Sequence, residues 1–355
     1  VRGRATAGRP RVVFVFPGQG GQWTGMGRQL LAEEPVFRAR MLECDRAIDA
    51  EAGFSVLAAL TSDDAARIGR IDVVQPTLFA VGLALAALWR SWGVEPDVVI
   101  GHSMGEVAAA CLAGALSLTD AVAVVCRRSR LLRRISGRGE MALVELPLAS
   151  AQDALQRHAD RVSVAVSNSP RATVLSGEPE ALAEVLAELA AREVFCRRVK
   201  VDVASHSPQV EPLRPDLLAA LAGVRPRRAE LPLRSTVLAA PLAGPELDAE
   251  CWFAKLGEPV RFAGAVQALL REGHTLFVEL GPHPVLTGAV EEIRQTLAVP
   301  GAAVGSTRRD QPERAALLES LATLWVQGLE PNWSGVLPAG ARRVPLPTYA
   351  WQRER

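Results

Sequence analysis

The chain has 355 residues, of which 49% are hydrophobic, so it is long enough for about two folding units. Its formal net charge is +1 without a concentrated basic stripe, which argues against nucleic-acid binding. The five cysteines form no C-x-x-C pair and the five histidines are far apart, so we expect reduced thiols and no metal cluster. We identify no membrane span and no signal peptide, and therefore expect a cytoplasmic protein.

The first part of the chain alternates apolar runs with helical patterns. Residues 1–10 are rich in Arg, Gly and Pro, as is typical of a linker. The apolar run 11–16 predicts a buried strand, and a glycine-rich loop follows at residues 17–22. Apolar residues at helical spacing then predict helices near residues 26–34, 36–50 and 74–92.

The stretch 97–116 contains the sequence GHSMG at residues 101–105. An apolar run before it predicts a buried strand, and small residues after it predict a helix that ends near Gly114. Strand, tight turn and helix in this order form a nucleophile elbow, which would hold the Ser103 hydroxyl where helix N-terminal amides favour negative charge. The alternative is a serine N-cap on an ordinary helix.

The next helix begins with a capping-box pattern at Ser117 and runs to about residue 135. The sequence pattern changes after it, at residues 136–139. Beyond it the elements read βαββαβ, the order of a ferredoxin-like unit. They are strands at 141–146, 162–166, 172–175 and 196–201, and helices at 150–158 and 179–191. We therefore predict that a ferredoxin-like unit is inserted in a larger domain.

The alternation of strands and helices resumes after this unit and predicts a mainly parallel sheet. The pattern gives a helix at 260–272, a strand at 275–279, a further helix after the turn at 281–284, and a helix at 311–327. Residues 338–355 are rich in Pro and Arg, and we expect them to lie extended over the surface.

A serine nucleophile needs a general base, and His206 is the histidine that the sequence favours. It lies where the inserted unit returns to the larger domain, and clefts between two units often hold sites. His102, on the turn itself, is expected to pack or cap. A structural role is the alternative for His206. Asp202 is a candidate third member of a triad, and a backbone carbonyl is the other group able to hold the ring.

Two further features concern charge. The Met104 N–H provides one donor for an oxyanion hole, and Gln19 is a candidate for the second, the alternative being a plain strand-to-helix turn. Arg128 lies within an apolar helical stripe, so its charge needs an anionic partner. That partner is either a structural carboxylate such as Glu106 or a carboxylate on the substrate.

Several motifs occur in a specific order, namely FPGQG, GHSMGE, the following arginine, VASH and ELGPHPVL. In this order they resemble the acyltransferase domain of a modular type I polyketide synthase and, more distantly, the malonyl transferases of fatty-acid synthesis. The resemblance covers nearly the whole chain. It implies an α/β fold with an α/β-hydrolase-like large subdomain and an inserted ferredoxin-like small subdomain. The implied parts are a linker remnant at 1–10, the large subdomain at 11–138 and 203–305, the small subdomain at 139–202, and a C-terminal helix with a post-acyltransferase linker at 306–355.

The resemblance also implies roles for the matching residues. Ser103 would take an acyl group from coenzyme A and pass it to the phosphopantetheine thiol of an acyl carrier protein, with His206 as general base and then acid. The amides of Gln19 and Met104 would form the oxyanion hole. A backbone carbonyl orients the histidine in this family, and the matching residue is Lys255, where Asn or Gln is more usual. Asp202 would then be a bystander.

The acyl group is implied by the residues around the pocket. Arg128 would bind the free carboxylate of a malonyl-type extender, and Gln75 would line the pocket. Relatives that take malonyl usually carry HAFH and those that take methylmalonyl usually carry YASH, whereas this chain has Val203 and Ser205 in a VASH tetrad. Met104 replaces the glutamine of GHSQGE. The smaller residues predict an α-substituted malonyl unit, methylmalonyl first and ethylmalonyl or larger second.

Three rival functions stay open at this stage. They are a loading acyltransferase for a monocarboxylic starter, a serine hydrolase or thioesterase, and a non-catalytic docking module. The expected partners are acyl-CoA, an acyl carrier protein, and the ketosynthase and linker domains of a parent synthase. We expect no bound cofactor, no metal, no nucleic acid and no membrane.

Overall fold

The computed structural model describes residues 8–62, 69–201, 203–338, 340–342, 344–345 and 347. Its strands are β1 (Arg11–Phe16), β2 (Val98–Gly101), β3 (Glu140–Val144), β4 (Val162–Ser169), β5 (Ala172–Gly177), β6 (Cys196–Arg198), β7 (Leu233–Arg234), β8 (Pro241–Leu242), β9 (His274–Glu279) and β10 (Ala302–Gly305). The strands form two separate sheets.

The α-helices surround these sheets. They are α1 (Arg28–Glu33), α2 (Pro35–Ala52), α3 (Val56–Thr61), α4 (Ile71–Ser91), α5 (Gly105–Leu112), α6 (Leu118–Leu132), α7 (Leu148–Ala154), α8 (Pro179–Ala191), α9 (Arg214–Leu221), α10 (Ala249–Gly257), α11 (Phe262–Arg271), α12 (Thr287–Thr296), α13 (Glu313–Val326) and α14 (Trp333–Val336). Short 3-10 helices span Arg133–Ile135 and Pro208–Leu213.

The larger sheet has the strand order β10-β9-β1-β2-β7-β8. All its neighbouring pairs are parallel except β7 with β8. Its central strands are apolar on both faces because helices cover both sides, as parallel sheets require. β1 is buried from Val12 to Phe16, and β2 is buried throughout. The predicted mainly parallel α/β fold is therefore confirmed.

The smaller sheet is antiparallel, with the order β4-β5-β3-β6. Its elements follow the chain as βαββαβ, so the predicted ferredoxin-like unit is confirmed. The unit is tied to the larger one through β4, where the N–H of Ser167 donates to the carbonyl of Val260 at 2.9 Å. The N–H of Val260 in turn donates to the carbonyl of Ala165 at 2.8 Å.

Helix α4 corrects the expectation that no segment has the length and apolarity of a membrane span. It is long and apolar enough to cross a membrane by length and composition, with a mean hydropathy of 1.8 over its best window. However, 89% of that window is buried inside the protein, where α4 packs on α2 and α6. Its apolar residues, Trp89 among them, therefore contribute to the main core, which also includes Trp92.

Candidate active site

The turn between β2 and α5 is a strained elbow with Ser103 at its apex. Ser103 has a φ of 54°, in the left-handed region that residues with a side chain seldom adopt. The flanking glycines make this turn sterically feasible. A Cβ at Gly105 would overlap the carbonyl oxygen of Phe16, and one at Gly101 would overlap the amide of Glu106. The close packing thus places Ser103 immediately before the N-terminus of α5.

His206 lies directly against this serine. The Oγ of Ser103 and the Nε2 of His206 are 2.7 Å apart. The Nδ1 of His206 lies 2.9 Å from the carbonyl oxygen of Glu258. Because a carbonyl only accepts, Nδ1 carries the proton, which leaves Nε2 free to accept the serine proton. The arrangement is that of a nucleophile with an oriented base.

The carbonyl that orients His206 corrects the assignment to Lys255. Glu258 caps the C-terminus of α10 in an extended conformation, and the following proline helps to end the helix. The capping carbonyl of Glu258 faces the imidazole, whereas Lys255 lies within the last turn of the helix. The side chain of Lys255 is buried and pairs with Glu106.

Burial governs the charge state of His206. The ring is almost completely enclosed, and desolvation together with the positive charge of Arg128 lowers its pKa to about 3. The hydrogen bond to Glu258 acts in the opposite direction but does not offset burial. His206 is therefore neutral at neutral pH, as a group that accepts a proton from a serine must be.

Arg128 lies on α6 and is 4% exposed. Its Nη1 donates to Oε1 of Gln75 at 3.1 Å. Burial lowers its pKa to about 10, so the guanidinium remains charged at neutral pH. Glu106, the structural partner considered from the sequence, pairs with Lys255 instead. Among the residues that the structure describes, no carboxylate forms an ion pair with Arg128.

The two candidate oxyanion donors are the backbone amides of Met104 and Gln19. Met104 follows Ser103 directly, and the loop bearing Gln19 packs on the elbow, since a Cβ at Gly18 would lie 3.6 Å from the Cβ of Ser103. Within the described part of the chain, neither the Met104 nor the Gln19 amide donates a hydrogen bond. Both N–H groups are therefore available to another acceptor.

The VASH segment contributes two further candidate residues. Val203 is buried and packs in the main hydrophobic core, whereas Ser205 is half-buried beside His206. Asp202, the candidate third triad member, lies outside the described residues. The carbonyl of Glu258 occupies the position at Nδ1 that a triad carboxylate would take.

Sequence reasoning missed Asn168 and Glu258. Asn168 on β4 places its Oδ1 2.9 Å from Nε2 of His102, whose ring also packs on Phe262. His102 thus packs beside the elbow, as its position on the turn suggested. For Glu258, the signal was the following proline, because a residue before proline tends to end a helix in an extended conformation. No local signal indicated Asn168.

The chain is similar in sequence to known acyltransferase domains. The model of the acyl transferase domain family matches residues 13–331. The spectinabilin polyketide synthase system protein NorA' of Streptomyces orinoci is 49% identical over 348 residues, which make up 97% of this chain and 10% of that protein. Erythronolide synthase EryA2 of Saccharopolyspora erythraea is 46% identical over 347 residues, 97% of this chain and 10% of that protein. The chain thus spans about a tenth of the length of these curated relatives.

Solved structures agree with the sequence relatives. The acyltransferase domain from module 8 of the salinomycin polyketide synthase has a TM-score of 0.91 at 43% identity, covering 94% of this chain and 79% of that one. A loading acyltransferase from the avermectin modular polyketide synthase has a TM-score of 0.85 at 42% identity, covering 88% and 99%. The chain therefore belongs to the acyl transferase domain family, and within it to the acyltransferase domains of modular polyketide synthases.

Proposed function

We propose that this domain transfers an α-substituted malonyl unit, with methylmalonyl preferred, from coenzyme A to an acyl carrier protein through an acyl-enzyme on Ser103. One observation carries the proposal. The buried guanidinium of Arg128 has no carboxylate partner in the described structure, yet its charge is close enough to lower the pKa of His206. A substrate carboxylate would neutralise this charge beside the nucleophile.

The first half-reaction follows from the Ser–His geometry. Nε2 of His206 accepts the hydroxyl proton of Ser103 as Oγ attacks the thioester carbonyl. The amides of Gln19 and Met104 donate to the oxyanion of the tetrahedral intermediate. When this intermediate collapses, the carbon–sulfur bond breaks, and His206 gives its proton to the departing coenzyme A thiolate. The products are the Ser103 ester and free coenzyme A.

The second half-reaction runs the same steps with a different thiol. His206 takes the proton of the phosphopantetheine thiol, and the sulfur attacks the ester carbonyl of the acylated Ser103. The ester carbon–oxygen bond then breaks, and His206 returns the proton to the serine oxygen. The mechanism needs no metal or redox cofactor, because both bonds exchanged are acyl bonds to oxygen or sulfur.

The size of the acyl group rests on the VASH segment. Ser205 is smaller than the phenylalanine of HAFH, and Val203 is smaller than the tyrosine of YASH. Both substitutions leave room for an α-branch, which supports methylmalonyl first and ethylmalonyl or a larger unit second. A hydrophobic pocket discriminates by about 1–3 kcal/mol per methylene, so the preference between these units is expected to be graded.

A loading acyltransferase is the second candidate function. The structural similarity to the avermectin loading acyltransferase, at 42% identity, favours it. A monocarboxylic acyl chain would leave the charge of Arg128 unpaired in a buried site, which is costly. The extender function is therefore preferred. A hydrolase would use the same Ser–His pair and would release the acyl group to water.

The proposed partners follow from the relatives, which are roughly ten times longer than this chain. We expect the acyl carrier protein, ketosynthase and linker domains of a cytoplasmic synthase to be its neighbours. Acyl-CoA and the phosphopantetheine arm would be substrates, with no bound cofactor.

The test is a competition among malonyl-, methylmalonyl- and ethylmalonyl-CoA, read as the mass added to the peptide that contains Ser103. We expect methylmalonyl to dominate and the adduct to persist until carrier protein is added. An S103A variant is the matched control for labelling elsewhere. A malonyl adduct in excess would contradict the α-branched preference, and rapid loss of every adduct to water would indicate a hydrolase.

A further inference from the structure

His206 is held by two backbone carbonyls at the C-terminal end of α10. The amide N–H of His206 donates to the carbonyl of Leu256 at 2.9 Å, and its Nδ1 lies 2.9 Å from the carbonyl of Glu258. The residue itself has a φ of 58°, which is unfavourable for any residue other than glycine. The position of the imidazole therefore depends on where α10 ends.

One residue on the same last turn of α10 is a buried cation. Lys255 is 5% exposed, and its Nζ pairs with Glu106, which is 3% exposed. The Nζ also donates to Oγ of Ser235 at 2.8 Å. A buried ion pair seldom stabilises a fold more than apolar residues of the same volume would, because both charges lose their hydration. Stability alone therefore does not explain this pair.

Glu106 belongs to the opposite side of the active site. It lies in the first turn of α5, three residues after the nucleophile, and its N–H donates to the carbonyl of Ser103 at 3.1 Å. Its Oε1 accepts from the N–H of Thr236 at 2.6 Å and from the hydroxyl of Thr236 at 2.8 Å. The same hydroxyl oxygen lies 2.7 Å from the carbonyl oxygen of Gly101, which is the alternative acceptor for its one proton. Glu106 is thus fixed to the elbow from several directions.

These contacts form a closed ring through the active site. It runs from Ser103 to Glu106, across the ion pair to Lys255, along the end of α10 to its terminal carbonyls, and through His206 back to Ser103. The ring joins the helix that follows the nucleophile to the helix end whose carbonyls hold the base. These two parts of the chain are 149 residues apart at the ion pair.

We infer that Lys255 and Glu106 form a positioning pair that sets the distance between the Ser103 hydroxyl and the His206 imidazole by fixing the end of α10 to the elbow. Neither side chain touches the substrate in this role. The inference rests on the proposed function only in so far as the Ser–His pair is the reacting pair. The family resemblance implied that the carbonyl of Lys255 orients His206. Here the side chain of Lys255 positions His206 instead, through its ion pair with Glu106.

The test measures the reactivity of Ser103 with an alkyl fluorophosphonate, which forms a phosphorus–oxygen bond to Oγ and releases fluoride. This probe needs the Ser–His pair but no substrate carboxylate. The variants are Lys255→Met, which keeps the chain length and removes the charge, and the double variant Lys255→Met with Glu106→Gln. The matched control is Glu250→Gln, which removes the exposed ion pair with Arg214 from the same helix.

We expect both Lys255 variants to slow labelling by about ten-fold or more while near-UV circular dichroism stays native, since small misplacements of a catalytic group are costly. The control should label at the wild-type rate. For acylation by methylmalonyl-CoA, kcat should fall and KM should stay unchanged, because Arg128 is untouched. A purely structural role would lower the folded fraction without this split.

Three results would overturn the inference. The first is wild-type labelling by the folded Lys255→Met variant. The second is recovery in the double variant, which would attribute the loss to a stranded carboxylate rather than to alignment. If Lys255→Met does not fold, Lys255→Gln takes its place. Its amide is uncharged and one atom shorter than the lysine chain, so it cannot hold Glu106 at the same spacing, and wild-type labelling by this folded variant is the third. A wild-type protein that reacts with the fluorophosphonate but with no malonyl-type CoA would refute the proposed function and leave this test valid.

Discussion

The guanidinium of Arg128 and the amide of Gln75 form a buried pair in which Nη1 donates to Oε1 at 3.1 Å. A neutral amide oxygen satisfies one N–H of the guanidinium but does not balance its charge. The pair therefore orients Arg128 and leaves its positive charge for a ligand. This relationship underlies the predicted preference for acyl groups with a free carboxylate.

Replacing Arg128 by Ala should weaken acylation by methylmalonyl-CoA far more than acylation by propionyl-CoA. These donors differ only by the carboxylate, and a charge-assisted hydrogen bond contributes about 1.5–3 kcal/mol, so we expect a selective loss of roughly 10- to 150-fold. The measurement is kcat/KM for acyl-enzyme formation with each donor. Arg127→Ala is the control, because Arg127 pairs with Glu51. Equal losses with both donors would remove the carboxylate role.

The depressed pKa of His206 predicts an unusual pH profile. Because burial and the charge of Arg128 lower this pKa to about 3, the imidazole stays neutral well below its ordinary value. Labelling of Ser103 by a fluorophosphonate should therefore be independent of pH between about 5 and 8. Arg128→Ala removes one of the lowering causes, so its acid limb should move to higher pH. A wild-type limb near pH 6.5, the ordinary histidine value, would contradict the account.

The lowered pKa of His206 also makes the stability of the fold depend on pH, so the labelling experiment must monitor folding at each pH. Between the ordinary histidine pKa of 6.5 and the folded value of about 3, the unfolded chain binds a proton at His206 that the folded chain does not. The contribution of His206 to the free energy of unfolding is therefore lost as the pH falls through this window. Near-UV circular dichroism at each pH identifies where the folded protein is being measured.

Replacing Ser205 by Phe should penalise branched extenders. The added ring occupies volume beside His206, and each excluded methylene costs about 1–3 kcal/mol. We expect the ratio of methylmalonyl to malonyl acylation to fall by roughly ten-fold or more, measured by donor competition and mass spectrometry. Ser205→Ala adds no bulk and should leave the ratio unchanged. An unaltered ratio in the Phe variant would separate Ser205 from acyl selection.

The elbow should not tolerate a methyl group at Gly105. A Cβ there would overlap the backbone oxygen of Phe16, which has no flexible alternative position. We expect Gly105→Ala to lower the free energy of unfolding by about 3 kcal/mol or more, measured by urea denaturation. Gly288→Ala in α12 meets open space and should stabilise by about 0.5–1 kcal/mol. A neutral effect at Gly105 would contradict the close packing of the elbow.

Elements with strong local signals could be predicted from the sequence. The bounds of β1 were predicted correctly because an apolar run ends at a proline and glycine loop. Those of α8 were also correct, since Pro179 lies in its first turn and its apolar residues repeat at helical spacing. Strands β7 and β8 were missed because a two-residue strand has no period. Helices α3, α9 and α10 and strand β10 were missed as well.

In the active site too, residues with a local sequence signal could be predicted, whereas contacts between distant residues could not. Ser103 could be identified because its elbow is encoded within a few consecutive residues. The carbonyl of Glu258 could not, because its contact with His206 spans 52 residues and depends on where α10 ends. The pairing of Lys255 with Glu106 likewise joins residues that are 149 positions apart. The spacing of charges along the chain does not encode such contacts.

The most direct test of the central claim compares methylmalonyl-CoA with propionyl-CoA on the wild-type domain. Single-turnover mass spectrometry gives kcat/KM for formation of the Ser103 ester with each donor. Because the two differ only by the carboxylate that Arg128 is proposed to bind, we predict a preference of roughly 10- to 150-fold for methylmalonyl-CoA. Equal acylation by both donors, or a preference for propionyl-CoA, would contradict the account.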